Sequence, residues 1–287
     1  MAKLFNKRII TVAPTGAWPK KKDNPNIPIT PQEIAKEVYE CWKLGAAVAH
    51  LHMRDDEGNG TMDINKFRET VALIREYKDC DIILNLTTSG DLKATDDERL
   101  LHIKELRPEL ASYDCGTMNW MHNSVFLNTP QFLEKAGLLM QELGVKPEVE
   151  VFDPGMIYNA QYFLKKGVLK APVHFQFCMG CANGIAATTK NLVFMKEIMD
   201  EVAPDSTWSA FGVGKGAMEI LYATVALGGN PRVGMEDNVL YSKNELAESN
   251  MQFVKRARRV IEEFGCEVAT PDEAREILSL PHRKSTE

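Results

Sequence analysis

The chain has 287 residues, with 34 basic and 40 acidic side chains for a formal net charge of -6, and 44% hydrophobic content. Mild acidity without a long run of like charge leaves no electrostatic footprint for a nucleic acid or an anionic membrane surface. The one apolar run near the start, Ile9 to Pro14, is too short for a signal segment or a membrane span, so a cytoplasmic protein is expected. Six dispersed cysteines lack the spacing of a secreted disulfide framework and read as reduced packing residues.

Short β-rich runs alternate with stretches of helical spacing. Arg8–Ala13 is followed by a long loop through Trp18 and then a helix at Pro31–Leu44, capped by Thr30 and opened by Pro31. Next come Ala47–His52 with Ile64–Tyr77, Ile82–Leu86 with Asp96–Leu106, and Leu110–Tyr113 with Pro130–Leu143. The second half continues with Val149–Phe152 and Gly155–Lys166, Val173–Phe177 and Thr189–Val202, Thr207–Phe211 and Gly216–Leu227, and Arg232–Met235 and Glu245–Phe264. Gly45, Gly144 and Gly167 follow helix ends, where a left-handed residue stops a helix. No linker composition divides the sequence. The eight strand-helix pairs therefore predict a single (β/α)8 TIM barrel over residues 1–287 with a C-terminal helical extension. A doubly wound sheet is the rival, but it usually has fewer strands and a glycine-rich first turn, whereas the turn after Ala13 is long.

In a barrel, chemistry belongs at the C-terminal ends of the strands. Strand alternation places His50 and His52 on one face at the end of the second strand, with Leu51 on the other. Two imidazoles ~6.5–7 Å apart along a strand can chelate one divalent ion. Alone, such a pair also fits hydrogen-bonded core histidines. Glu236, at the end of the eighth strand and close to the second around a closed barrel, is the best third ligand for a Zn2+ site of two histidines and one carboxylate. The bland reading of Glu236 and Asp237 is a solvated pair answering Arg232. Cys178 and Cys181 have C-x-x-C spacing but no second pair and read as small packing residues, while Cys115, with no evident histidine companion, is expected in packing or substrate contact. The loop Ser209 to Gly216, containing Gly212, Gly214 and Lys215, follows the seventh strand, where barrels commonly bind phosphate on backbone amides at a helix N-terminus. Tight turning is its alternative explanation.

These motifs together resemble the β-keto acid cleavage enzymes. The matching pieces are Ile10–Ala13 with Thr15–Ala17, Ala49–Asp55, Leu86–Gly90, Asp114–Asn119, Lys146–Asp153, Phe175–Phe177 and Gly228–Asn238, in order across nearly the whole chain. The resemblance implies a zinc-dependent barrel enzyme, a homotetramer, that takes a β-keto acid and acetyl-CoA to acetoacetate and a new CoA thioester. It implies His50, His52 and Glu236 as metal ligands and Arg232 with Asp237 as the activating dyad. It places Thr87 where the family often has serine, and Cys115, Thr117 and Glu150 at the substrate. Members that cleave an aminohexanoate have a glutamate after the Gly-Ala pair of the first loop, an apparent anchor for the substrate amine; here Trp18 stands there. Its aromatic face suits an apolar tail or, by cation–π attraction, a quaternary ammonium. Two other readings of the same residues are a metal-dependent aldolase or hydrolase without CoA, and a non-catalytic metal-binding barrel.

Overall fold

The computed structural model describes residue 4 and residues 6–280, and within them eight parallel strands close into a barrel. In chain order these are β1 (Thr11–Val12), β2 (Val48–Leu51), β3 (Ile83–Leu86), β4 (Leu110–Asp114), β5 (Lys146–Val151), β6 (His174–Met179), β7 (Thr207–Gly212) and β8 (Asn230–Val233). Each pairs with the next, and β8 returns to β1 with Arg232 opposite Thr11 and Val233 opposite Val12. The helices outside are α1 (Pro31–Lys43), α2 (Ile64–Glu76), α3 (Asp96–Leu106), α4 (Pro130–Leu143), α5 (Pro154–Lys165), α6 (Thr189–Val202), α7 (Ala217–Ala226) and α8 (Asn250–Glu263), with α9 (Pro271–Ile277) as the C-terminal extension. Among the described residues no helix is long and apolar enough to cross a membrane.

Local chemistry explains most boundaries. Thr30, Thr95 and Thr270 each close a reciprocal capping box with a glutamate at the third helical position. Gly144 ends α4 in the left-handed conformation, at φ 68. Several boundaries differ from the sequence expectation by a few residues, and three of the differences have a local cause. The first run splits, because Lys7–Arg8 pairs with Glu267–Val268 outside the barrel and the Ile9 amide is diverted to Asn230 Oδ1 at 2.8 Å. The eighth strand stops at Val233 because Gly234, at φ 148, lies where a Cβ would meet the Ala13 carbonyl oxygen at 2.1 Å. Residues expected to begin the last long helix instead form a hairpin, Leu240–Ser242 against Glu245–Leu246, turned by Asn244 at φ 63. Helix α8 therefore starts only at Asn250.

The strands separate two environments. Their outer faces send Leu51, Leu86, Tyr113, Val149, Phe175 and Phe177 into an apolar layer beneath the helices. The interior is polar, with His50, Asn85, Glu148, Gln176, Ser209 and Arg232 all buried. A barrel interior is ordinarily filled by branched apolar side chains, so this lining marks the inside as the chemical face. At the opposite end, α9 closes the floor. Its Ala274 and Leu278 pack with Ile9, Val48, Ile83 and Leu110. Arg275 meanwhile grips Glu109 Oε1 and Oε2 at 2.6 and 3.1 Å and the Asp81 carbonyl at 2.7 Å.

Candidate active site

The end of β2 delivers both imidazoles to one point. His50 Nε2 and His52 Nε2 each stand 3.4 Å from Glu236 Oε1. Bonds of ~2.0–2.1 Å to a tetrahedral ion put neighbouring donor atoms about 3.3–3.4 Å apart, so both histidine-to-Glu236 edges have the spacing of ligands to one divalent ion, and all three donor atoms lie within 4.8 Å of one another. The donor chemistry agrees. Burial, with help from Arg232, lowers His50 to about 4 and keeps the ring neutral. Burial alone would raise Glu236, but His52, Arg232 and His50 outweigh it and hold the carboxyl well below the usual range. The buried oxygens Glu236 Oε2, Asp114 Oδ2, Glu148 Oε1 and Glu150 Oε1 accept no hydrogen bond from the protein. Buried acceptors without partners are costly, and a bound cation with its water and substrate would satisfy them. The residues present thus fit a divalent ion.

Arg232, rising from β8, organises the carboxylates. Its Nε and Nη2 hold Asp237 Oδ2 and Oδ1 at 3.1 and 3.0 Å, and Nη2 also reaches Glu236 Oε1 at 2.5 Å. On the other side Nη1 stands 3.7 Å from Glu150 Oε1, and the guanidinium carbon lies 4.4 Å from the Phe211 ring centroid. Burial would lower Arg232, but Asp237, Glu236 and Glu150 keep it well above its ordinary value. Asp237 is pushed up by burial against the pull of Arg232, to about 6. Burial and Asp114 raise Glu150 well above the carboxylate range. Burial also raises Glu148 to about 7. Asn85 Nδ2 donates to Glu148 Oε2 at 2.5 Å and lies 3.2 Å from His50 Nδ1, so β3 and β5 back the His50 ring.

The remaining expected residues divide. Thr87 is buried at the end of β3; its Oγ1 accepts from the Ser89 amide at 3.0 Å and shares a hydrogen with Ser89 Oγ at 3.1 Å. The thiol of Cys115 is enclosed in the main apolar core, and burial raises its pKa far above the ordinary thiol value, which disfavours the thiolate. Thr117 Oγ1 accepts from the Asn128 amide at 2.9 Å and so anchors its own loop. Ser209 sits deep in the barrel, bonded to Gln176 Oε1 at 2.7 Å, away from the glycine loop. Gly212 and Gly214 do line a cavity of about 880 Å³ that also touches Lys215, Arg232, Glu236 and Asp237. The Gly214 amide, however, is already donated to Asn238 Oδ1 at 2.7 Å, so it is not free for an anion in this arrangement. Cys178 and Cys181 are free thiols, with Cys178 Sγ 3.6 Å from Glu150 Oε2. Trp18 is 53% exposed over the mouth, its ring centroid 6.0 Å from that of Trp120. Trp120 had no sequence signal of its own. It arrives on the hairpin Met118–Trp120/Ser124–Phe126, which only the closed barrel brings toward Trp18.

A model of the beta-keto acid cleavage enzyme family matches residues 7–280. The chain belongs to that family. A protein of Fusobacterium nucleatum subsp. nucleatum named 3-keto-5-aminohexanoate cleavage enzyme is 44% identical over 277 residues, covering 96% of this chain and 99% of that one. The 3-dehydrocarnitine:acetyl-CoA trimethylamine transferase of Rhizobium meliloti is 38% identical over 295 residues, covering 96% of this chain and 97% of the other. Among solved structures, one described as a ternary complex of ObcA with C4-CoA adduct and oxalate superposes with a TM-score of 0.81 at 21% identity, over 89% of this chain and 68% of that one. At that identity it speaks to the barrel fold alone.

Proposed function

We propose that this family member is a zinc-dependent acyltransferase that converts a β-keto acid and acetyl-CoA to acetoacetate and a new acyl-CoA by a Claisen and retro-Claisen route. The observation that carries the reading is the His50, His52 and Glu236 donor triangle beside an Asp237 gripped by Arg232. A divalent ion held there supplies Lewis-acid polarisation of the substrate keto group when bound. Asp237 Oδ takes the proton from the carbon between keto and carboxylate groups and holds it beside Arg232, which keeps the two carboxyl oxygens in a fixed plane. Thr87 and neighbouring donors at the mouth face the thioester oxygen as negative charge develops on it. Gly212, Gly214 and Lys215 border the space for the CoA arm, where an acidic protein presents local positive charge.

Substrate tails differ among the relatives by their names, which include 3-dehydrocarnitine, 3-oxoadipate and 3,5-dioxohexanoate. The tail in this protein rests on the Trp18 and Trp120 rings, which favour an apolar or quaternary-ammonium group over a primary amine. The test is a panel of β-keto acids incubated with the metal-loaded protein, with and without acetyl-CoA. Acetoacetate and a new thioester appearing only with acetyl-CoA is the expected result. Cleavage that consumes no acetyl-CoA would favour the aldolase or hydrolase reading, and zinc binding without turnover would leave a binding barrel.

A further inference from the structure

The short strand Met53–Arg54 directly follows His52 and pairs with Gly60–Thr61 in a hairpin that leans over the first loop. Arg54 is 2% exposed, and the hydrogen bonds of its guanidinium all go to main-chain carbonyls. Nε donates to Gly16 O at 2.6 Å, Nη2 to Thr15 O at 3.0 Å and Pro19 O at 2.7 Å, and Nη1 to Gly58 O at 2.8 Å. A buried charge spent in this way fixes the course of a backbone. The loop it fixes is the one that matters at the mouth. Gly16, at φ 64, lies so close to Glu236 that a Cβ would come within 2.6 Å of its Cγ, and Pro19 borders the large cavity. Trp18 stands between those two anchored carbonyls with its ring in solvent against Trp120. The hairpin packs on the same loop from above, since a Cβ on Gly60 would meet Ala17 Cβ at 2.9 Å.

We propose that Arg54 is a positioning residue that pins the Thr15–Pro19 loop and thereby sets the stance of Trp18, so that selection of the substrate tail depends on a guanidinium remote from the bonds that change. The proposal rests on the proposed function only for what the tail is; the pinning is a property of the chain itself. Lysine keeps the charge but lacks the planar fork that reaches diverging carbonyls at once. A purely structural role would lower stability and slow every substrate alike. Pinning predicts a change in discrimination carried by KM.

The experiment uses full-length wild type, Arg54→Lys and Arg54→Met. Native-state trypsin digestion read by mass spectrometry follows cleavage after Lys20, Lys21 or Lys22, which adjoin the pinned segment. Loss of charge-assisted bonds to the loop should speed that cleavage about ten-fold or more in both variants. In the same proteins the preference for an apolar-tailed over a primary-ammonium-tailed β-keto acid should fall about ten-fold through KM, with kcat within about three-fold. Wild-type cleavage rates with an unchanged preference would overturn the proposal. If wild type turns over no β-keto acid, the proposed function fails and the cleavage rates alone decide the pinning. If neither Arg54 variant folds, Asn59→Ala decides it, because that change leaves the Arg54 bonds in place and removes only the outer strap, Lys20 Nζ to Asn59 Oδ1 at 2.8 Å and Asn59 Nδ2 to Asp55 Oδ2 at 3.1 Å. Protection retained within about two-fold assigns the loop to Arg54, and rapid nicking assigns it to the strap and overturns the proposal.

Discussion

Glu236 and Asp237 are adjacent in sequence and touch the same guanidinium, yet their proton affinities part in opposite directions. Glu236 adds two imidazoles to its surroundings, while Asp237 adds chiefly the negative charge of Glu236 and its own burial. The two roles proposed for them, ligand and base, thus accord with what each neighbour faces. His50→Ala or His52→Ala should abolish stoichiometric zinc together with activity; metal analysis of the purified variants showing one ion per chain would remove that residue from the ligand set. Asp237→Asn should keep metal and fold while lowering kcat by about 10²–10⁴, the usual weight of a general base. Trp18→Glu should move preference toward amine-bearing β-keto acids by about ten-fold, measured as the ratio of kcat/KM values for two tails. At this scale the histidine pair was legible because strand alternation is strict, and Glu236 because chain ends meet in a closed barrel. The glycine loop misled over Ser209, since three residues at ~3.3 Å each set it about 10 Å below Gly212. Trp120, Asn85 and Glu148 take their roles from strand closure, which no local pattern encodes.

Elements behaved as their ends dictated. Helices with Thr caps began where the sequence placed them, because the capping box satisfies otherwise orphaned amides whatever the tertiary context. The hairpin at Leu240–Ser242 overrode the expected start of α8, because a left-handed Asn244 commits the chain to turning back. Helix α3 carries a testable liability. Its His102 is stacked on Phe67 of α2 with centroids 4.1 Å apart, and burial lowers its pKa to about 3. In the unfolded chain the same ring titrates near 6.5. Its neutral burial therefore costs nothing above pH ~6.5, and stability is lost as pH falls toward 3, by about 1.4 kcal/mol per unit. His102→Leu should shrink the stability difference between pH 7 and pH 5 by about 2 kcal/mol, read from denaturant midpoints at the two pH values. An undiminished difference would place the acid sensitivity elsewhere, with His174 the next residue to change, since burial also lowers its pKa to about 3.

Across the whole molecule, reactive groups gather at one end of the barrel and the structural closure at the other. The count of strand-helix pairs made the barrel legible, since eight alternations have few other solutions. The floor was less so: a C-terminal helix was expected, but where it docks follows from the small apolar ring that the strand beginnings leave open. Arg275→Met should lower stability by about 3 kcal/mol, because it strips a buried partner from Glu109, while leaving zinc content unchanged. Urea titration and metal analysis of the same sample separate the two ends.

The floor also has a history in time. Lys7–Arg8 lies beside Glu267–Val268, which a ribosome makes much later, and Ile9, Val48 and Ile83 wait for Leu278. A ribosome must therefore reach Leu278 before these groups are sheltered, and until then the strand beginnings present an apolar underside. A chain halted before α9 leaves that underside open even though every residue of the His50, His52 and Glu236 cluster has already been made.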